Sequence, residues 1–136
     1  MNAPRQDASR GGSVTRVHHL LLEVKDLDAS ENFYTQVLGF AVRKREHFRD
    51  GRRLIVTAQG LGLTEGGSGS AGVLQHLCFS ARGIDAIAAQ AAARGCEIVR
   101  GPGPGPYGHT VYIRDPDGHE IELFDDPEDK EEVTRQ

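Results

Sequence analysis

Short apolar runs separated by turn residues give the chain an order of elements that occurs twice. In the first half, the Leu- and Val-rich run at 17–24 predicts a buried strand. Phe33 and Val37 follow at helical spacing, with Asp28 as the expected N-cap of this helix and Gly39 as the residue that ends it. The first half therefore has the order βαβββ, with its further strands predicted at 40–47, 53–58 and 61–65.

The second half repeats this order after a Gly- and Ser-rich segment at 66–72, which predicts a flexible connector. A strand and an Ala-rich helix are expected at 73–80 and 84–94, followed by strands at 96–100, 109–114 and 119–124. The sequence GPGPGP at 101–106 is predicted to be a loop, because proline cannot donate to a sheet. The turn DPDG precedes His119, whose side chain is expected to face solvent.

The two halves are an internal repeat. His19-Leu20-Leu21-Leu22 opens the first and His76-Leu77-Cys78-Phe79 opens the second, and a helix-ending glycine lies 20 positions after His19 and 19 positions after His76. The prediction is an α+β fold with one domain at 16–125, built from modules at 16–65 and 73–125. A disordered lead is expected at 1–15 and a charged tail at 126–136.

Composition and charge narrow the function classes. The 136 residues suit one domain, and the net charge of −4 disfavours a nucleic-acid partner, although one basic run extends from Arg43 to Arg53. Two cysteines, Cys78 and Cys96, make neither a disulfide framework nor a zinc cluster and are expected to be small core residues. No apolar segment reaches the length of a signal peptide or a membrane span, so we expect a cytoplasmic protein without a membrane partner.

Strand alternation places candidate metal ligands on shared faces. His19, Leu21 and Glu23 fall on one face of the first strand, and His76 and Cys78 fall on one face of its counterpart. The last strand presents Glu122 in the same way. If these faces converge, two imidazoles and one carboxylate form a set that binds a divalent metal and leaves coordination positions open.

Three segments of the chain resemble one known family. They are VHHLLLEVKDLDASENFYTQVLGF near the start, LQHLCFSARGIDAI in the middle and VYIRDPDGHEIELFD near the end. The sequence is similar to the vicinal oxygen chelate superfamily, which includes glyoxalase I, extradiol dioxygenases, fosfomycin-modifying enzymes and bleomycin-resistance proteins. The resemblance covers about residues 16–125. It implies paired βαβββ modules that form a half-open barrel around one metal ion.

The resemblance implies His19, His76 and Glu122 as the metal ligands, with His18 as a competing first ligand. The implied ion is divalent, with Fe(II) or Mn(II) favoured and Zn, Ni or Co as alternatives. Glyoxalase I carries a fourth ligand, a glutamate, on the last strand of its first module, and the matching position here is Gly62. Whether Glu65 or His47 joins the site instead is left open.

The same resemblance assigns the remaining roles. Tyr112 lies at the position of a substrate-contacting tyrosine, and His109 is the candidate proton shuttle. Leu21, Glu23 and Cys78 are expected to line the substrate pocket. The leading expectation is an extradiol-type dioxygenase that acts on a small molecule chelated through two vicinal oxygens. The alternatives are a glyoxalase-like isomerase or lyase and a non-catalytic drug-binding protein. Single-domain members of the family usually pair, with the site built from modules of two chains, so the resemblance also implies a homodimer.

Overall fold

The computed structural model describes residues 12–13, 16–69, 72, 74–106 and 108–127. Most of the predicted lead and tail lies outside these residues. The first module contains β1 (Leu20–Val24), α1 (Leu27–Asn32), a π-helical turn (Phe33–Val37), β2 (Val42–His47), β3 (Arg53–Thr57) and β4 (Leu61–Glu65). The second contains β5 (Leu77–Ser80), α2 (Ile84–Ala93), β6 (Ile98–Pro104), β7 (His109–Arg114) and β8 (Glu120–Phe124). The predicted α+β fold with two βαβββ modules is confirmed.

Each module forms one four-stranded mixed sheet. The strand orders are β1-β4-β3-β2 and β5-β8-β7-β6, so that the first strand of each module pairs in parallel with its last strand. Neither sheet closes on itself. One face of each sheet packs on the helices and on a shared core, and we call the opposite face the open face. The core is continuous across the modules, because the rings of Phe40 and Phe79 lie 5.0 Å apart, centroid to centroid.

The N-cap of the first helix differs from the predicted residue. Asp26, not Asp28, is the N-cap, because its backbone is extended and its carboxylate accepts the backbone N–H of Ala29 at 3.1 Å. Asp28 lies in the first turn and pairs with Arg53. Gly39, with a φ of 79°, follows the end of the helical segment as predicted, since a left-handed backbone favours glycine there.

Strand β6 contradicts the prediction of a loop at 101–106. It runs through two prolines, with Gly103 opposite Thr110 and Pro104 opposite His109 on β7. The reason is that β6 is the edge strand of its sheet. On the outer side of an edge strand there is no neighbouring strand to which a backbone N–H would have to donate. Strands β1 and β5 also begin later than predicted, so His19 and His76 each stand directly before a strand.

The segment between the modules is packed at its beginning rather than flexible. Gly67 donates its backbone N–H to the carbonyl oxygen of Val24 at 3.0 Å. A Cβ at this position would lie 2.3 Å from the carbonyl oxygen of Glu23, so only glycine allows this approach. Residues 70 and 71 of the predicted connector, and residue 73 of the strand predicted at 73–80, lie outside the described part of the chain.

A buried polar network joins the turn before β8 to the first module. Asp115 accepts the hydroxyl of Tyr34 at 2.7 Å and lies 2.8 Å from Nδ1 of His119. Asp117 accepts the backbone N–H of Lys25 at 2.9 Å. His119 is only 4% exposed, so the prediction that it faces solvent is wrong. His119 shares the Asp115 carboxylate with Tyr34, which is distant in the sequence.

No helix in the described ranges combines the length and apolarity that a bilayer-crossing segment requires.

Candidate functional site

The open face of the second module brings His76 and Glu122 together. Nε2 of His76 lies 3.3 Å from Oε1 of Glu122. The register of β5 and β8 explains this approach, because Cys78 pairs with Glu122 and His76 directly precedes β5. Glu122 is 7% exposed and His76 is part-exposed, so the carboxylate is buried and the imidazole is accessible to solvent.

Thr110 and Tyr112 of β7 hold the Glu122 carboxylate from the other side. Oγ1 of Thr110 lies 2.8 Å from Oε2 of Glu122, and Tyr112 is the register partner of Glu122. The ring of His76 stands edge-on to the ring of Tyr112, with the centroids 5.7 Å apart. Both oxygens of Glu122 therefore have a polar neighbour, which fixes the orientation of the carboxylate.

Arg100 completes this cluster on β6. Its guanidinium carbon lies 4.0 Å from the centroid of the Tyr112 ring. Burial raises the pKa of the Tyr112 hydroxyl, while a hydrogen bond with Arg100 opposes the rise and one with Glu122 adds to it. Tyr112 is therefore a protonated hydrogen-bond donor at neutral pH. A pocket of about 330 Å³ lies beside it, bordered by Thr110 and by the glycines and prolines at positions 101 and 103–106.

Cys78 lies beside Glu122 on the same open face. Desolvation and the Glu122 carboxylate raise the pKa of its thiol to about 12. The thiol stays neutral at physiological pH, so it is a weak hydrogen-bonding neighbour and not a nucleophile. The expectation that Cys78 is a core residue is wrong, because Cys78 is exposed. Cys96 is partly buried and packs against the core.

The open face of the first module holds His18 and His19. Their Nδ1 atoms lie 2.9 Å apart, and both rings line a groove of about 470 Å³ that runs over Leu21. The structure therefore places both candidate first ligands on this face without choosing between them. Glu23 lies on the same face and pairs with Arg52 at 3.1 Å.

The predicted convergence of all three ligands does not occur within one chain. His19 lies with the first sheet, whereas His76 and Glu122 lie with the second. Across the described residues, no group of three or more metal-binding side chains comes together. The donor types do fit a divalent metal, since two imidazoles and a carboxylate suit such ions, and two of the three donors already approach each other.

Three other candidates stand apart from this cluster. His109 alternates away from Tyr112 on β7, and its Nε2 lies 2.7 Å from Oδ1 of Asp85 in α2, so the structure does not bring it to Glu122. Glu65 accepts the backbone N–H of Arg53 at 2.7 Å and its guanidinium at 3.1 Å. His47 is exposed at the end of β2. It follows Glu46, which borders the groove, so strand alternation directs His47 to the opposite face.

Sequence reasoning missed Thr110 and Arg100. Thr110 stands two residues before Tyr112, so strand alternation could have placed it on the same face. Arg100 had no such signal, because the register of β6 shifts twice between Ile98 and Gly103.

Comparison with known proteins agrees with this architecture. Residues 16–123 match the family model described as the glyoxalase/bleomycin resistance protein/dioxygenase superfamily. A probable lactoylglutathione lyase of Vibrio cholerae is 32% identical over 125 residues, covering 80% of this chain and 89% of that protein. A virulence protein of Salmonella typhimurium is 33% identical over 127 residues, with coverage of 81% and 83%.

The fold is also found in solved structures. The trypanothione-dependent glyoxalase I of Leishmania major superposes with a TM-score of 0.70 at 25% identity, covering 90% of this chain and 94% of that one. The paired modules, the register that joins His76 to Glu122 and the match over residues 16–123 lead to one conclusion. The chain belongs to the glyoxalase/bleomycin resistance protein/dioxygenase superfamily.

Proposed function

We propose that the protein is a metal-dependent lyase of the glyoxalase type, acting on a small molecule that is chelated through two vicinal oxygens. The observation that carries the proposal is the approach of His76 and Glu122 on an open face, with Thr110 and Tyr112 around the carboxylate. Relatives named lactoylglutathione lyase favour this reaction over the dioxygenase that the sequence first suggested.

His19, His76 and Glu122 would hold the divalent metal, with Fe(II) or Mn(II) favoured by this ligand set over Zn, Ni or Co. When bound, the metal would supply Lewis acidity toward the substrate oxygens. The chain's own residues supply the rest. Thr110 keeps the Glu122 carboxylate in place, and the protonated hydroxyl of Tyr112 donates to a substrate oxygen. His109 has no part in this arrangement, because it is held by Asp85.

The complete site requires two copies of the chain. Within one chain the two open faces belong to different sheets, so His19 does not meet His76. A homodimer would let the first module of one copy supply its histidine to the second module of the other. This is the reason to propose a dimer, and sedimentation of the purified protein at micromolar concentration tests it.

A dioxygenase is the second candidate, and Gly62 favours it. Gly62 stands opposite Leu21 in β4, at the position where the resemblance places the fourth ligand of glyoxalase I. With glycine there, three protein ligands remain, and more coordination positions are free for substrate and oxygen.

One set of assays separates these candidates. Metal content is measured on the purified protein, followed by formation of S-lactoylglutathione from methylglyoxal and glutathione, and by oxygen uptake with a panel of catechols. The lyase proposal expects thioester formation that is lost in Glu122→Ala and kept in Glu120→Ala, a matched change on the same strand. Oxygen uptake without thioester formation would favour the dioxygenase. Thioester formation that survives both substitutions would contradict the role of Glu122.

A further inference from the structure

The groove on the first module has the chemistry of an anion-binding site with an apolar floor. Leu21, Phe48, Leu54 and Val56 all line it. Such a mixture of apolar surface and a few charged groups is typical of small-molecule pockets. The volume of about 470 Å³ is enough for a ligand with a body of several carbon atoms.

Gly62 keeps this floor apolar. A Cβ at position 62 would lie 3.1 Å from Cδ1 of Leu21, so Leu21 already occupies the space above the glycine. The equivalent position in the second module is Glu122, since Leu21 pairs with Gly62 as Cys78 pairs with Glu122. The groove therefore has a leucine side chain where the other module has a carboxylate.

The rim of the groove carries an excess of positive charge. Arg16, Arg43, Lys44 and Glu46 all border it, and Lys44 pairs with Glu46 at 3.1 Å. The guanidinium groups of Arg16 and Arg43 have no hydrogen-bond or ion-pair partner among the residues that the structure describes. With both histidines neutral, the four charged rim residues sum to +2, from three cations and one anion, whereas the whole chain has a net charge of −4.

This pattern distinguishes Arg43 from its neighbours in the basic run. Arg45 pairs with Glu31, Arg52 with Asp50 and Glu23, and Arg53 with Asp28 and Glu65. The remaining cation of the run, Arg49, lies exposed in the turn between β2 and β3 and does not border the groove. The basic run is thus largely neutralised, except for one arginine at the groove and one outside it.

We propose that this groove binds a small amphiphilic carboxylate, with its hydrocarbon body over Leu21 and Gly62 and its carboxylate facing Arg16 and Arg43. Guanidinium groups suit this ligand, because their donors match the two oxygens of a carboxylate. The groove also contains His19, so its ligand would be the substrate of the proposed enzyme, an organic acid with an apolar portion. This proposal rests on the proposed function only for the role of the metal.

Calorimetry on the full-length protein with chelator present tests the groove without the metal. The probes are octanoate, octanamide and butanoate. Octanoate is expected to bind about tenfold more tightly than octanamide, which lacks the charge, and more than about tenfold more tightly than butanoate, which buries fewer methylene groups. Raised salt should reduce only the preference for the charged probe.

Variants locate the binding. Arg43→Gln is expected to weaken octanoate about threefold to tenfold and to leave octanamide unchanged, whereas Arg49→Gln removes the same charge outside the groove and should change neither. Because the titrations are run with chelator present, failure of the proposed metal site is separable from failure of the groove. Equal affinity for octanoate and octanamide, equal effects of the two arginine variants, or no saturable binding of any probe would each overturn the proposal.

Discussion

The two modules share a topology and differ in what they place on the open face. At three equivalent register positions, the second module has Cys78, Glu122 and Tyr112, and the first has Leu21, Gly62 and Val56. One face is therefore polar around a buried carboxylate, while the other is an apolar groove with a basic rim. The backbone of the repeat fixes where side chains meet, and the side chains alone decide what each face can bind.

The largest expected effect comes from the carboxylate of the second module. Glu122→Ala should weaken binding of a divalent metal by at least about 100-fold, because even the groups behind metal ligands contribute tenfold to 100-fold. Glu120→Ala on the same strand, where the carboxylate lies 3.6 Å from Arg114, is the matched control. Titration with Mn(II) followed by electron paramagnetic resonance measures both affinities. Similar affinities in the two variants would remove Glu122 from the site.

Two glycine substitutions test whether the backbone of the first module requires glycine at position 62. If it does not, the difference between the two open faces is a difference of side chains alone. Gly101→Ala should lower the free energy of unfolding by about 2–3 kcal/mol, because φ is 81° and a Cβ would lie 2.6 Å from the carbonyl oxygen of Thr110. Gly62→Ala should change it by less than about 0.5 kcal/mol, since only the movable end of Leu21 is close. Urea denaturation measures both.

If Gly62→Ala proved as destabilising as Gly101→Ala, the backbone would require glycine at position 62. The apolar floor of the groove would then be a by-product of the fold and not a separate property of the first module.

Two tyrosines separate stability from binding. Tyr34→Phe should lower the free energy of unfolding by about 1–2 kcal/mol, because it removes a buried donor to Asp115. Tyr112→Phe, on the more accessible open face, should cost little stability and should instead impair turnover. Thermal denaturation and the S-lactoylglutathione assay are measured on both variants. The same loss of stability in the two would contradict the distinction between a network that joins the modules and a site that lies on one of them.

The smallest effect is a pH dependence on the first module. Arg45 holds the pKa of Glu31 below its ordinary value of 4.5, with Nη1 and Oε1 2.8 Å apart. A lowered pKa in the folded state adds stability above the unfolded pKa, and this stability is lost as the pH falls through the folded value. Arg45→Gln should therefore lower the stability slightly at pH 7, because exposed ion pairs are worth little, and the difference from the wild type should fade below pH 4.5.

Arg49→Gln is the control for this comparison, since the structure gives Arg49 no equivalent ion pair. A loss in Arg45→Gln that stays constant from pH 7 to pH 3 would show that the pair with Glu31 is not its cause.

Much of the fold follows from local sequence, and its failures have physical causes. Strands β4 and β7 occur at their predicted bounds, because each is delimited by glycine or turn residues. Residues 101–104 of the loop predicted at 101–106 instead belong to β6, since proline is tolerated in a strand at the edge of a sheet. The N-cap is Asp26 and not the predicted Asp28, because both residue types can cap a helix and only the backbone conformation distinguishes the two positions.

The candidate site was predictable to the extent that strand parity determines it. Parity placed His76, Cys78 and Glu122 on one face of the second module, and the register of β5 and β8 agrees. Parity could also have excluded His109, which lies three residues from Tyr112 and hence on the opposite face of β7. The burial of His119 was beyond local reasoning, because its partner Asp115 is also bonded by Tyr34, which lies 81 positions away from Asp115.

The network around Asp115 has a consequence for how the chain folds. Tyr34 and Asp115 are separated by 81 positions, and Lys25 and Asp117 by 92. Tyr34 and Lys25 reach these buried carboxylates only when the two modules pack together, and a buried carboxylate that lacks some of its partners is costly. The repeats should therefore not behave as independently stable units. We expect a single cooperative transition limited by long-range contacts, with a slower folding rate than a protein of this size built from local contacts.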